Sequence, residues 1–190
     1  MKKKKKGYFL IIDPQKNTLR ISTEDDWLIE NIVKNTANIK KNKTVNAFVC
    51  EMVDNTNMKI YVFDEWYRTG VTNKIIAQAI IDKGYGGQRI ICDSAEPKSI
   101  AELQEEGIKA EPSRKGKDSV NHGIQLIQNY EIIVHEKNCP EFKKEIQNYC
   151  WAKDKNGKLT DKPDHEFSHG MDSMRYGVSK ILLPDVFSFE

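Results

Sequence analysis

The sequence predicts an α/β protein with a mixed β-sheet flanked by helices. After an opening hairpin, β-rich segments and helix-periodic segments alternate along the chain, which is typical of a layered α/β structure. A length of 190 residues with a hydrophobic share of 38% suffices for one core and seldom for two. We therefore expect one compact main domain, with an additional β-hairpin.

The opening hairpin is predicted from two β-rich runs, Thr44–Met52 and Lys59–Phe63, joined by turn-forming residues at 54–57. A helix over Asn73–Lys83 follows, because apolar residues recur there at helical spacing and Gly84 provides a C-terminal stop. The further elements are predicted in the order strand 89–92, helix 97–106, strand 109–112, helix 120–129, strand 131–135, helix 141–150, hairpin 151–162 and helix 165–182.

Residues 1–43 differ in character from the rest and are interpreted as a separate leader of uncertain order, before a domain at 44–183 and a tail at 184–190. The leader contains two short strand-like runs, a predicted helix over 25–36 and a connector rich in lysine and asparagine. Its basic start precedes only five apolar residues, too few for a signal peptide or a membrane span. Four scattered cysteines suit a reducing cytosol, so we expect a cytoplasmic protein without a membrane partner.

The charge of the chain is unevenly distributed. A net charge of +2 conceals lysine clusters at the N-terminus, at 40–43 and at 114–117. Such clusters permit an anionic partner such as nucleic acid, although solvated surface is the commoner explanation of a charge run. Both interpretations stay open at this point.

Asp93 is the first candidate for chemistry, because it ends the predicted buried strand 89–92 just before a helix. Ligand sites of open α/β sheets gather at the carboxyl ends of the strands. The alternative is structural: an aspartate in this position also caps a following helix.

The last predicted helix supplies the second candidate. His169, Asp172, Arg175 and Tyr176 lie within one strip of it, because steps of three and four residues return to the same helix face. A lone histidine on a helix is more often a packed or surface residue than a ligand. Gly170 is costly inside a helix and suggests a close approach by another element.

A metal site follows if Asp93 and Asp172 meet in space. With no obvious arginine pair to balance them, the two carboxylates repel each other unless a divalent cation lies between them. Hard oxygen ligands favour Mg²⁺ or Mn²⁺, and an imidazole also suits Mn²⁺. Two ions about 3.5–4 Å apart activate a water and stabilise the leaving oxygen of a phosphodiester. That chemistry calls for a third carboxylate.

Several segments together resemble the C-terminal nuclease domain of the large terminase subunit of tailed bacteriophages, which cuts concatemeric DNA. The similarity extends over roughly Thr44 to Leu182 in matching order and spacing. The segments that carry it are YVFDEWY at 61–67, CDSAEPKSI at 92–100, KGKDS at 115–119, EIIV at 131–134 and HGMDSMRY at 169–176.

The resemblance implies an RNase H-like fold with a Mg²⁺- or Mn²⁺-dependent endonuclease centre of two ions. It assigns Asp93 and Asp172 as metal ligands, with His169 near the metals. The basic loop with Arg114, Lys115 and Lys117 is expected to contact the phosphates of double-stranded DNA without reading its sequence. The hairpin 151–162 is similar to the β-hairpin that lies beside the active site in that family.

The sequence departs from the family in its first carboxylate. The expected aspartate is absent from the stretch that reads Ala37-Asn38-Ile39-Lys40-Lys41. Asp13 or Glu65 is the candidate for the third ligand in its place.

The sequence also contains no G-x-x-x-x-G-K-[ST] loop, so we expect no packaging ATPase in it. We expect a split nuclease piece, a fragment or a decayed prophage gene, and a terminase ATPase chain, the small terminase subunit and the portal are candidate partners. Two hypotheses remain: a metal-dependent endonuclease domain, and a catalytically inactive module that binds DNA or a partner.

Overall fold

The predicted mixed sheet flanked by helices is confirmed. The computed structural model describes residues 9–13, 18–22, 36–41, 45–114, 116 and 118–183. They form an eight-stranded sheet and a separate two-stranded hairpin. The strands are β1 (Phe9–Asp13), β2 (Thr18–Ser22), β3 (Thr36–Lys41), β4 (Asn46–Asp54), β5 (Lys59–Arg68), β6 (Arg89–Cys92), β7 (Lys109–Pro112), β8 (Glu131–His135), β9 (Trp151–Lys153) and β10 (Leu159–Pro163).

The strand order of the large sheet is β2-β1-β8-β5-β4-β3-β6-β7. β3, β6 and β7 pair in parallel, as do β5 and β8, whereas β4 is antiparallel to both of its neighbours. The carboxyl ends of β3, β5, β6, β7 and β8 therefore meet at one edge of the sheet. Asp93 follows β6 at this edge, as the sequence predicts.

The expectation of a separate leader does not agree with the backbone pairing. β3 lies inside the sheet between β4 and β6, and β1 pairs with β8. The β-propensity of residues 36–41 did not indicate that they form a strand of the sheet. The pairing of a strand rich in lysine and asparagine depends on neighbouring strands that are distant in sequence. The helix predicted at 25–36 falls outside the described residues except for Thr36, which begins β3, and the tail also falls outside them. The limits 44–183 stay a prediction.

Within the described ranges, five helices pack on the two faces of the sheet. They are α1 (Asn73–Asp82), α2 (Pro97–Glu105), α3 (Ser119–Ile127), α4 (Pro140–Asn148) and α5 (His169–Leu182). One core cluster joins α1 and α2 to the sheet through residues such as Phe48 and Ile90. The other joins α4 and α5 to the opposite face through Val49, Phe142 and Met174. Among the described helices, none has the length and apolar composition that crossing a membrane requires.

Carboxylates from neighbouring elements hold the starts of α4 and α5. Neither helix has a hydrogen bond from its own N-cap side chain. Glu65 on β5 accepts from the backbone N–H groups of Glu141 (2.8 Å) and Phe142 (2.7 Å). Glu145 on α4 then accepts from the N–H groups of Gly170 (2.6 Å) and Met171 (3.2 Å). These bonds satisfy amide groups that a helix start leaves open and complement its dipole.

Burial of these two carboxyl groups has an electrostatic cost. It raises the pKa of Glu65 to about 7, against the opposing effect of the N–H groups that bond to the ionised form. Burial likewise raises the pKa of Glu145 to about 7. Both groups are less than a tenth exposed, so desolvation outweighs the hydrogen bonds.

Gly170 explains why α5 begins where it does. A Cβ atom at this position would lie 1.9 Å from the Tyr67 hydroxyl oxygen, 2.9 Å from Phe142 Cδ2 and 3.1 Å from Glu145 Oε2. Only a residue without a side chain lets the helix start come this close to β5 and α4. The Tyr67 hydroxyl is buried and finds no hydrogen-bond partner within the described part of the chain.

We predict that Gly170→Ala lowers the free energy of unfolding by about 1–3 kcal/mol, because the added methyl group overpacks this contact. The gain in helix propensity, about 1 kcal/mol, is too small to offset the clash fully. Urea unfolding of the single variant and of Gly170→Ala/Tyr67→Phe measures the effect. The double variant is expected to regain most of the lost stability, and an equally large loss in both variants contradicts the Tyr67 contact.

Candidate active site

Asp93 lies in a tight turn between β6 and α2. Its Oδ1 accepts from the N–H of Ala95 at 2.9 Å, and its carbonyl oxygen accepts from the N–H of Glu96. Ser113 ties the turn to the end of β7, since its hydroxyl oxygen accepts from the N–H of Ser94 at 3.1 Å. Asp93 therefore stabilises its own turn but does not cap α2, whose N-cap residue is Glu96.

Asp172 occupies the first turn of α5, above the sheet. This helix contacts β3, β4 and β6, and Asp93 directly follows β6. The pKa of the Tyr176 hydroxyl is raised, chiefly by burial. The negative charge of Asp172 is the next largest cause, and the negative charge of Asp93 follows it. This shared effect on Tyr176 agrees with the predicted pairing of Asp93 and Asp172, which stays a prediction.

Arg175 balances the charge of Asp172, which corrects the expectation that no arginine does so. One of its terminal N–H groups donates to Asp172 Oδ1 at 2.9 Å, and both side chains are less than a tenth exposed. Burial alone lowers the pKa of the Arg175 guanidinium, but the carboxylate of Asp172 prevails and raises it. The guanidinium carbon also lies 4.8 Å from the centre of the Tyr176 ring, within cation–π range.

α3 fixes the position of Arg175 from the other side. A Cβ atom on Gly123 would lie 2.6 Å from Arg175 Cγ, so the backbone of α3 rests directly on the arginine stem. Within the described residues, the Arg175 Nε atom is buried and has no hydrogen-bond partner. A cleft of about 420 Å³ borders Asp172, Arg175 and Tyr176, and Lys162 of β10 lines its other wall. We call it the Asp172 cleft.

His169 borders a different cavity. Its side chain is half-buried and lines a space of about 400 Å³ together with Tyr67 and Glu145, whereas Asp172 lines the Asp172 cleft. The two residues are one helical turn apart on α5 but open onto separate spaces.

Neither candidate for a third ligand joins the carboxylate pair. Asp13 is the last residue of β1, which runs antiparallel to β8, so it lies at the other end of the strands. Four strands lie between β1 and β6, and this spacing puts the two strands about 24 Å apart. The carboxylate of Glu65 is engaged at the start of α4. Among the residues that the structure describes, no three His, Cys, Asp or Glu side chains are grouped closely enough to hold a metal ion.

Asp93 and Asp172 have the donor chemistry of the divalent metal site that the sequence predicts, and the number of ions stays a prediction. Carboxylate oxygens are the ligands that Mg²⁺ and Mn²⁺ prefer. Asp93 and Asp172 supply such oxygens, but a second ion needs further carboxylates, and the described residues contain no group of three or more His, Cys, Asp or Glu side chains there.

Of the predicted DNA contacts, only Arg114 can be placed. It lines a small cavity together with Arg175 and Tyr176, at the end of β7. Lys115 and Lys117 lie outside the described residues.

Sequence reasoning missed Glu145 and Tyr67. Glu145 contacts the start of α5 across 25 residues of sequence, and no local pattern marks such a partner. Gly170 was the one visible signal, since a glycine inside a helix suggests a close neighbour.

The sheet order and the flanking helices agree with the RNase H-like fold that the sequence resemblance implies. Residues 41–180 match the family described as the terminase RNase H-like domain, and the chain belongs to this family. The large terminase subunit of Bacillus phage SPP1 is 33% identical over 139 residues, which cover 72% of this chain and 33% of the relative. The PBSX phage large subunit of Bacillus subtilis is 25% identical over 144 residues. The chain thus spans about a third of these curated relatives.

Solved structures agree on the fold. The nuclease domain of the SPP1 large terminase, solved with bound Mn, superposes with a TM-score of 0.74 at 28% identity, over 83% of this chain and 92% of that one. The large terminase of a thermophilic bacteriophage has a TM-score of 0.66 at 19% identity, over 81% of this chain and 41% of that one. The RNase H-like fold expected from the sequence is confirmed.

We predict that Arg175→Met destabilises the domain by about 3–5 kcal/mol in metal-free buffer, because it leaves Asp172 as a buried charge without its counter-ion. Mn²⁺ is expected to recover more stability in this variant than in the wild type, since the ion no longer competes with the guanidinium. Thermal unfolding with and without Mn²⁺ measures both effects.

Lys180→Met is the matched control, because it removes one positive charge from the same helix at a residue that pairs with Glu111 instead. An Arg175→Met protein that Mn²⁺ stabilises no more than the wild type contradicts competition at Asp172.

Proposed function

We propose that this chain is the endonuclease domain of a phage DNA-packaging terminase and that it hydrolyses phosphodiester bonds of double-stranded DNA with the help of Mg²⁺ or Mn²⁺. The observation that supports this most directly is that the negative charges of Asp172 and Asp93 both raise the pKa of Tyr176, which lines the Asp172 cleft beside Asp172. Membership of the terminase family and the Mn-bound nuclease domain of the SPP1 relative support the substrate and the metal.

In this proposal Asp93 and Asp172 hold the ion. Each contributes carboxylate oxygen, and Arg175 keeps the Asp172 carboxylate in place until the ion binds. When bound, a divalent ion supplies a Lewis acid for the phosphodiester and a water of lowered pKa. The sequence predicted two ions, and the number of ions stays a prediction, since the described residues contain no group of three or more His, Cys, Asp or Glu side chains at this position.

His169 is proposed as a group that moves protons. It is half-buried at the first position of α5, and its cavity opens one helical turn before Asp172. An imidazole changes its charge near neutral pH, which suits it to carry a proton between solvent and the site.

The DNA backbone is proposed to lie along the basic side of the site. Arg114 borders Tyr176, and Lys162 lines the Asp172 cleft, so positive charge flanks the carboxylate pair. Lys115 and Lys117 belong to the same loop as Arg114 and are proposed to add phosphate contacts.

The partners of this domain are proposed from its family. Its curated relatives are large terminase subunits about three times as long as the matched part. We propose that packaging requires a terminase ATPase chain, the small terminase subunit and the portal, all in the cytoplasm of the bacterial host.

A second function is a catalytically inactive module that binds DNA or a terminase partner. The observation that favours it is the lack of a third metal-ligating side chain beside Asp93 and Asp172 among the described residues. The basic loop and the fold alone suffice for binding, which depends on phosphate contacts and falls with salt.

Plasmid nicking in Mn²⁺ separates the two functions. Asp93→Asn and Asp172→Asn are expected to reduce nicking by more than about a hundredfold, since loss of even an outer partner of a metal ligand costs about 10–100-fold. Asp161→Asn is the control, because Asp161 lines the same cleft and is exposed but is not proposed as a ligand.

Full nicking by both ligand variants contradicts the endonuclease proposal. Salt-sensitive DNA binding by the wild type without nicking at any Mn²⁺ concentration supports the inactive module. Absence of both binding and nicking contradicts both functions.

A further inference from the structure

The small cavity that Arg114 lines lies beside the Asp172 cleft, between α3 and α5. We call it the basic pocket, and its volume is about 180 Å³. Arg175 and Tyr176 line both the basic pocket and the Asp172 cleft, so the two spaces are adjacent. The polar side chains of its wall are those of Arg114, Ser119, His122, Arg175, Tyr176 and Ser179.

The two adjacent spaces differ in the charges of their walls. The described residues that line the basic pocket include two arginines and one histidine but no aspartate or glutamate. The Asp172 cleft, by contrast, is lined by Asp118, Asp161 and Asp172. Positive walls attract an anion and repel a cation. The basic pocket therefore suits an anionic group, whereas the proposed metal ligand Asp172 lines the neighbouring cleft.

Arg175 has hydrogen-bonding capacity that its ion pair does not use. One terminal N–H group donates to Asp172, but a guanidinium has five N–H donors. The Nε atom of Arg175 is buried and has no hydrogen-bond partner among the described residues, and the residue as a whole is 6% exposed. A buried donor without an acceptor costs free energy, so an acceptor held beside Arg175 is stabilising.

The size and the remaining donors of the basic pocket fit one phosphate group. Its volume is below the roughly 300–1,000 Å³ of pockets that enclose drug-sized molecules. Ser119 begins α3, where the helix dipole favours negative charge, and Ser119 and Ser179 each contribute a hydroxyl group. Phosphate oxygens accept hydrogen bonds from arginine, from serine and from the N–H groups of a helix start.

We propose that the basic pocket binds a phosphate group of the DNA backbone, next to the phosphate that is cleaved, and that Arg175 contacts both this phosphate and Asp172. The inference rests on the proposed function for one point, that the bound phosphate belongs to DNA. The contact positions the strand along the site and carries no sequence information.

DNA binding by the whole chain in metal-free buffer tests the proposal separately from cleavage. Ser179→Asp places a carboxylate in the basic pocket, and Ser179→Asn is its neutral match of nearly the same size. We expect Ser179→Asp to bind a short labelled duplex about tenfold more weakly than Ser179→Asn, because a charge-assisted phosphate contact is lost. Fluorescence anisotropy measures both affinities, and circular dichroism checks the fold of each variant.

Arg114→Gln keeps the proposal testable if the aspartate variant does not fold. It removes one positive charge from the pocket, so the slope of log affinity against log salt is expected to fall by about one. Lys74→Gln is the matched control and is expected to keep the wild-type slope. It removes an exposed charge from the start of α1, which packs on the other face of the sheet from α5.

Inorganic phosphate is the probe for a free anion as the occupant. Thermal unfolding with and without it is compared for Ser179→Asp and Ser179→Asn. Stabilisation by phosphate that the aspartate abolishes, with equal DNA affinities of the two variants, assigns the pocket to a free anion and overturns the proposal.

Equal DNA affinities of the two Ser179 variants overturn the proposal in any case, as does an equal loss of slope in Lys74→Gln and Arg114→Gln. The nicking assay is read separately. A wild type that binds DNA through the basic pocket and does not cut in Mn²⁺ leaves this inference standing and contradicts the endonuclease function. A wild type that cuts, with both Ser179 variants binding DNA equally, contradicts only this inference.

Discussion

The hydrogen bonds from the start of α5 to the Glu145 carboxylate fix the helix on which the site depends. α5 has no side-chain cap of its own, and Glu145 accepts from its first N–H groups while the α4 helix that carries Glu145 is held by Glu65 of β5. The sheet thus determines the position of the start of α4, and α4 determines the position of the start of α5. Because Asp172 lies only two residues beyond Gly170, a shift of the helix start moves the carboxylate directly, and the Tyr67 contact leaves little room for such a shift.

Charge compensation is the second constraint on this site. Asp172 is buried, and a buried carboxylate is tolerated only with a partner of opposite charge or with a bound cation. Arg175 is that partner, and α3 packs against its stem so closely that the guanidinium has few alternative positions. The Asp172–Arg175 pair therefore compensates the buried carboxylate without a metal, and at the proposed metal site an incoming ion would have to displace or share this ion pair.

Local patterns in the sequence were sufficient for much of the fold. The hairpin of β4 and β5, the short strand before Asp93 and the last helix follow from turn residues and from apolar periodicity, although that helix was predicted to begin at residue 165 and begins at His169. The pairing of Asp93 and Asp172 was predicted from a strand end and a helix face, and it stays a prediction that the shared effect of both residues on Tyr176 supports.

Contacts between residues far apart in the sequence could not be predicted from such local patterns. Glu65 meets Glu141 across 76 residues of sequence, and a glutamate that caps a distant helix is indistinguishable in sequence from one that faces solvent. The inclusion of β3 in the sheet was missed for a similar reason: its pairing depends on β4 and β6 and not on its own composition. The separate cavity of His169 was missed because helical spacing shows which residues share a helix face but not which residues of other elements lie opposite that face.

The central claim is that Asp93 and Asp172 form one cation site under α5. A crystal of the wild-type chain soaked in Mn²⁺ and measured at the manganese absorption edge tests it most directly. We expect anomalous density between the two carboxylates, next to Tyr176. The absence of such density there at full soaking contradicts the account.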